Sequence, residues 1–191
     1  KYIERIDPIQ VCRHRRKEPQ SPVTETERQV FRQLCGSLQY AAVQTRPDIS
    51  AKVGILQSLI PKACIEDLLD ANRTLFEAKK NHVNLVIVPI PESQVSFCAF
   101  SDASFETKKG TASRQGTIIF TTDSRMAENK LAVICPIAWS SRKIPRVIRS
   151  TLSAEASALS STLDRLSWLR LLWSWLLDPS IDWTRSEERR V

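Results

Sequence analysis

The sequence predicts an α+β chain in which helices come first and a small sheet covered by one long helix comes last. Apolar residues recur at three- and four-residue steps between residues 25 and 80 and again after residue 150, which is the spacing of amphipathic helices. Between residues 83 and 140 the pattern changes to β-branched runs and two-residue alternation, which indicates strands. Since a sheet and a helix each bury one apolar face, we expect the strands and the last helix to share a core.

Three helices are predicted in the first half of the chain. Thr24 and Glu27 form a capping box that starts the first helix, over about residues 25–44. A proline ends it, because the residue before a proline is pushed out of the helical conformation. Apolar steps then predict a second helix over about residues 49–60 and a third over about residues 65–80.

Residues 1–23 precede these helices and contain a basic cluster at residues 13–17, followed by a proline-bearing stretch. We interpret this segment as an exposed basic arm. The cluster is either a solvated run of charge or a contact for phosphate groups.

Three strands are predicted after the helices. Residues 95–101 alternate apolar and polar side chains, and Asp102 stands at the end of that strand. Residues 117–120 and 131–140 form the second and third strands, and a β-branched run at residues 83–88 comes before all of them.

A long helix follows the third strand and carries Glu155 in its first turn. Its apolar stripe predicts the buried face of the helix, with Glu155 at the border of that face. The stripe comprises Leu152, Ala156, Leu159, Leu163, Leu166 and Trp173. Taken alone, a glutamate in a first turn is explained by the helix dipole, and an aspartate at a strand end is explained by an Asx-turn.

Considered together, Asp102 and Glu155 allow a second interpretation, in which both carboxylates belong to one site. A carboxylate at a strand end and one in the first turn of a helix on the same sheet are typical of sites that hold divalent metal for phosphoryl transfer. This hypothesis requires the two side chains to converge over one edge of the sheet.

The composition indicates which classes of partner and which cellular setting to expect for the chain. The 191 residues carry 28 Lys and Arg against 21 Asp and Glu, a net charge of +7, which fits a polyanionic partner. Five cysteines without a CxxC pair indicate reduced thiols and an intracellular setting. The sequence has no run of about 18 apolar residues and no signal-peptide pattern, so we expect no membrane partner.

Three segments carry a resemblance to a known family. They are FRQLCGSLQYAAVQTRPDIS, AFSDASFETKKGTASRQGTIIF and IAWSSRKIPRVIRSTLSAEASAL, in this order. Over about residues 27–173 the chain resembles the C-terminal part of a copia-type retrotransposon Pol polyprotein, in which the end of reverse transcriptase precedes a ribonuclease H domain. The resemblance implies a helical connection segment at residues 24–91. It implies a ribonuclease H-like domain at residues 92–191 that is truncated at its C-terminus.

The resemblance also implies a site and its ligands. Asp102 and Glu155 match two metal-binding carboxylates of a two-Mg²⁺ site that hydrolyses the RNA strand of RNA–DNA hybrids. Basic residues ahead of the helix are candidates for contacts to nucleic-acid phosphates, although a solvated basic loop explains them equally well. These candidates are Arg142, Lys143, Arg146 and Arg149.

The sequence departs from the family's pattern at the third carboxylate, which would lie on a strand after the long helix. Asp164 is on the opposite side of that helix from Glu155, and Asp182 would serve only if residues 181–183 were the missing strand. We therefore expect an incomplete site with weak or absent hydrolysis, in a fragment whose partners include the remainder of the Pol polyprotein. The alternative is a non-catalytic nucleic-acid-binding or connection remnant.

Overall fold

The computed structural model describes residues 2–105 and 112–180. The described part contains helices and a three-stranded sheet, which confirms the predicted α+β class. In chain order the elements are α1 (Arg13–Arg16), α2 (Glu25–Gln44), α3 (Ser50–Leu59), α4 (Ile65–Lys80), β1 (Ser96–Ser104), β2 (Arg114–Thr122), β3 (Ile134–Lys143) and α5 (Thr151–Leu177).

Helices α2, α3 and α4 form a helical body around one hydrophobic core. The predicted capping box starts α2, because Glu27 N donates to Thr24 Oγ1 at 3.2 Å and Thr24 N donates to the Glu27 carboxylate at 2.8 Å. The apolar steps of the sequence lie inside the body, where Phe31, Leu38 and Leu75 are wholly buried. The three predicted helices are therefore confirmed, with boundaries within two residues of those expected.

The N-terminal segment is exposed over most of its length but is anchored to the helical body at a few apolar residues. Ile9 and Val11 are only 5% and 7% exposed and belong to the helical core. The side-chain amide of Asn72 fixes this segment, since its Oδ1 accepts from Ile9 N at 2.8 Å and its Nδ2 donates to Ile9 O at 2.9 Å. Apolar residues spaced among the charges thus bring the segment into the core, while the basic residues of α1 stay at the surface.

The sheet is antiparallel in the order β1-β2-β3. Its strands run beyond the apolar stretches that predicted them, so Asp102 lies inside β1, opposite Gly116, and not at the strand end. The β-branched run at residues 83–88 forms no strand, although Val88 N lies 3.2 Å from the Cys135 sulfur of β3.

The two faces of the sheet are covered by different helices. Helix α5 packs on β1 and β2, where Thr117 and Thr162 join their hydroxyls at 2.7 Å in a buried hydrogen bond. Helix α3 packs against the opposite face, where Gly54 lies beside Arg114 and the Ser141 carbonyl. Trp139 Nε1 also donates to Ala42 O at 2.7 Å, which ties the sheet to the helical body.

The buried face of α5 differs from the one predicted. Leu152, Leu159 and Leu163 of the apolar stripe are 79%, 52% and 50% exposed. The side chains buried against the sheet are small and recur every four residues, at Ala154, Ala158 and Thr162. Although α5 is 27 residues long, no described helix is long and apolar enough to cross a membrane.

Candidate nucleic-acid interface

An open groove of about 730 Å³ lies between the end of β3, the loop after it and α5. Cations line one wall and serines of α5 line the other. We call this the basic groove; its principal polar residues are Arg142, Lys143, Arg146, Ser153, Ser157 and Ser160. Residues three and four apart on a helix are neighbours, so the three serines present their hydroxyls from one side of α5.

Local structure holds the loop of the groove at both ends. Ile144 is 2% exposed, and its backbone N–H donates to Ser113 O at 2.9 Å. At the other end Ser150 caps α5, since its Oγ accepts from Ser153 N at 3.1 Å. Ser150 and Thr151 therefore mark the start of the helix that forms the second wall.

Gln115 of β2 forms the floor of the groove and is 2% exposed. In the amide orientation that satisfies its neighbours, its side-chain oxygen accepts from Arg142 Nε at 3.0 Å and from Ser161 Oγ at 3.2 Å. A neutral partner thus orients the Arg142 guanidinium, which forms no ion pair with any residue that the structure describes. Within the described ranges, neither Lys143 nor Arg146 forms an ion pair, although Asp164 lines the same groove.

Three of the four residues predicted to contact phosphates line this groove. Arg142, Lys143 and Arg146 are exposed and share one wall, while Arg149 is exposed directly before the helix cap but does not line the groove. Their contact with nucleic acid stays a prediction. The serine wall and Gln115 were not identified from the sequence, although the serines at residues 153, 157 and 160 have helical spacing that could have indicated them.

The structure does not bring Asp102 and Glu155 together. Ser101 lies opposite Thr117, which faces α5, so Asp102, the next residue along β1, points to the other face. There it borders an apolar cleft of about 280 Å³ with Pro47 and Ser50 of the helical body. Glu155 is half-buried on α5, across the sheet from that cleft.

This arrangement does not fit a shared two-metal site. Ions of such a site lie about 4 Å apart and require carboxylates on the same side of the sheet. In the part of the chain that the structure describes, no three His, Cys, Asp or Glu side chains group closely enough to hold a metal ion. Of the two other aspartates considered from the sequence, Asp164 lines the basic groove, whereas Glu155 does not line it. Asp182 lies outside the described residues. The assignment of Asp102 and Glu155 as metal ligands stays a prediction.

The stretch Thr45-Arg46-Pro47-Asp48-Ile49, which lies in the first of the three segments that carry the family resemblance, has a structural role. Arg46 is 6% exposed and forms two hydrogen bonds to the Asp48 carboxylate, at 2.8 and 2.7 Å. It also donates to Ala78 O and Asn81 O at the C-terminal end of α4. One guanidinium therefore satisfies carbonyls that a helix end leaves unpaired and fixes the turn between α2 and α3.

Comparison with known proteins gives one relevant similarity. A retrovirus-related Pol polyprotein from transposon RE1 of Arabidopsis thaliana is 30% identical over 140 residues, which is 73% of this chain. The chain spans 9% of that relative's length. No family model and no solved structure matches the chain. The similarity relates the chain to part of a transposon Pol polyprotein.

Proposed function

We propose that this chain serves as a nucleic-acid-binding part of a copia-type retrotransposon Pol polyprotein, and that the basic groove holds the sugar–phosphate backbone. The observation that carries the proposal is the basic groove itself, in which three exposed cations face a wall of serine hydroxyls. Guanidinium, ammonium and hydroxyl groups are the side-chain donors that most often contact phosphate oxygens. An RNA–DNA hybrid is the ligand that the resemblance favours.

Within this proposal, residues 24–91 are the helical end of a reverse transcriptase and residues 92–191 are a ribonuclease H-like domain. The similarity to the transposon polyprotein and the succession of three antiparallel strands and a long helix support it. Mg²⁺-dependent hydrolysis of the RNA strand is a further, more specific part of the proposal. It depends on carboxylates that lie on opposite faces here, so binding without cleavage is the function that the geometry supports best.

The experiment measures binding of the chain to a labelled RNA–DNA hybrid over a range of salt concentrations. Arg142→Ala with Arg146→Ala removes two phosphate contacts and should reduce the slope of log affinity against log salt by about 2. The matched control, Arg32→Ala with Lys80→Ala, removes two exposed cations of the helical body and should leave the slope unchanged. If the slope fell equally in both double variants, binding would depend on net charge and not on the basic groove, which would contradict the proposal.

A further inference from the structure

Helix α5 carries a largely apolar and largely exposed seam with a seven-residue repeat. Its members alternate steps of four and three residues over the whole helix. We call this the outer seam; it comprises Leu152, Ala156, Leu159, Leu163, Leu166, Arg170, Trp173 and Leu177. A straight α-helix has 3.6 residues per turn, so a repeat of 3.5 sustained over nearly four heptads is typical of a helix that pairs with another helix.

The sheet does not use most of this seam. Leu152, Leu159, Leu163 and Leu177 are 79%, 52%, 50% and 48% exposed, because the sheet takes the small residues on a different side of α5. Only toward the C-terminal end does the seam approach the sheet, where Trp173 packs edge-on against Phe97. Contiguous apolar side chains at a surface mark an interaction site.

We propose that the outer seam docks antiparallel onto the same seam of a second copy of this chain. The seam is complementary to itself in that orientation. When Leu163 lies opposite the second copy's Leu166, the same register places Ala156 opposite Trp173. Leu152 is then opposite Leu177, so each end of the seam meets the other end, and the smallest side chain faces the largest.

Charge selects the antiparallel orientation. In a parallel pair Arg170 would lie beside Arg170 of the second copy, and like charges at such positions are destabilising. In the antiparallel pair Arg170 lies opposite Leu159, and Glu155 precedes Leu159 by one helical turn. Each Arg170 is therefore within reach of the other copy's Glu155, once at each end of the interface.

The flanks of the seam are compatible with self-association. Serines follow the seam at every seventh residue along one side, at Ser153, Ser160, Ser167 and Ser174, and the first two of them also line the basic groove. These small, uncharged side chains introduce no repulsion between two copies.

Sedimentation velocity on the full chain, without nucleic acid, tests the proposal over a series of protein concentrations. We expect a concentration-dependent dimer that Leu159→Glu with Leu163→Glu converts to a monomer of unchanged helical circular dichroism. The matched control, Val43→Glu with Phe76→Glu, changes two residues of the helical body with similar exposure, 53% and 54%, and should still dimerise. A wild-type chain that stays monomeric, or a seam variant that still dimerises, would overturn the proposal.

A charge exchange tests the orientation. Arg170→Glu should weaken the dimer several-fold by placing it near Glu155 of the other copy, and adding Glu155→Arg should restore dimerisation. A parallel dimer would show no such rescue, which would contradict the antiparallel register. Since nucleic acid is absent from both experiments, their outcome is independent of the function proposed for the basic groove.

Discussion

Asp123 is a buried carboxylate that forms an ion pair with Arg125. It follows β2 directly and accepts hydrogen bonds from Arg125 Nε and Nη2 and from the Arg125 backbone N–H, at 2.6 to 3.1 Å. The hydrogen bonds from the Arg125 side chain are the main cause that lowers the pKa of Asp123 from 3.8 to about 2. The ion pair thereby fixes the turn that leads from β2 toward β3.

This pKa shift predicts how stability depends on pH. The folded state binds the Asp123 proton more weakly than the unfolded state, so the contribution of Asp123 is complete above its unfolded pKa. It should be lost as the pH falls from about 3.8 to about 2. Asp123→Asn should be less stable than the wild type at neutral pH, and the difference should shrink over that interval. Urea unfolding at a series of pH values measures it, and a difference that is constant with pH would contradict the assignment.

The positions of Asp102 and Glu155 lead to a prediction about hydrolysis of RNA. Because Asp102 and Glu155 lie on opposite faces of the sheet, we expect this chain to bind a labelled RNA–DNA hybrid without cleaving it when Mg²⁺ is added. Gel electrophoresis of the labelled strand measures cleavage, with Asp102→Asn and Glu155→Gln as controls. Strong Mg²⁺-dependent cleavage that both substitutions abolish would show that the two carboxylates act together.

At the scale of elements, α5 illustrates what the sequence could and could not predict. Periodicity identified the helix and the residues that share a stripe, but it did not tell which stripe meets the sheet. The strand residues that face α5 include Ser101, Thr117 and Gln115, which are small or polar. A helix face of alanines and a threonine fits closely onto that surface, so the larger leucines remain outside.

The buried face of α5 predicts the effect of placing a larger side chain there. Ala158 is wholly buried against the sheet, so Ala158→Leu should destabilise the chain by about 1–3 kcal/mol through overpacking. Ser167→Leu makes a comparable increase on the exposed side and, at a protein concentration at which the chain is monomeric, should change stability by less than about 0.5 kcal/mol. Thermal unfolding measures both, and equal effects would contradict the assigned face.

The limits of sequence interpretation at the other elements have similar physical causes. The strand ends are polar, so alternation of apolar residues underestimated β1 and placed Asp102 at its end. In a strand, a shift of one residue exchanges the two faces, which is why the direction of Asp102 could not be predicted. The burial of Ile9 depends on Asn72, 63 residues away, and no local pattern reports such a contact. The basic residues of the groove were predictable because they form a short cluster in the sequence.

At the scale of the molecule, the helical body and the sheet meet at a glycine. A Cβ at residue 54 would collide with the Arg114 guanidinium and lie 2.9 Å from the Ser141 carbonyl oxygen. We therefore expect Gly54→Ala to destabilise the chain by about 1–3 kcal/mol, despite the better helix propensity of alanine.

Gly36 provides the matched control for this prediction. It lies within α2, and a Cβ there would meet nothing within 4 Å. Gly36→Ala should therefore stabilise the chain by about 0.5–1 kcal/mol. Unfolding curves of the two variants provide the measurement, and a stabilised Gly54→Ala variant would contradict the close contact between α3 and the sheet.

The contact at Gly54 links the two halves of the chain mechanically. Ser141, whose carbonyl faces Gly54, is followed directly by Arg142, whose guanidinium Gln115 orients. A sliding of α3 along β3 would therefore move the first cation of the wall relative to the serines of α5. The width of the basic groove therefore depends in part on α3, a helix that does not line the groove.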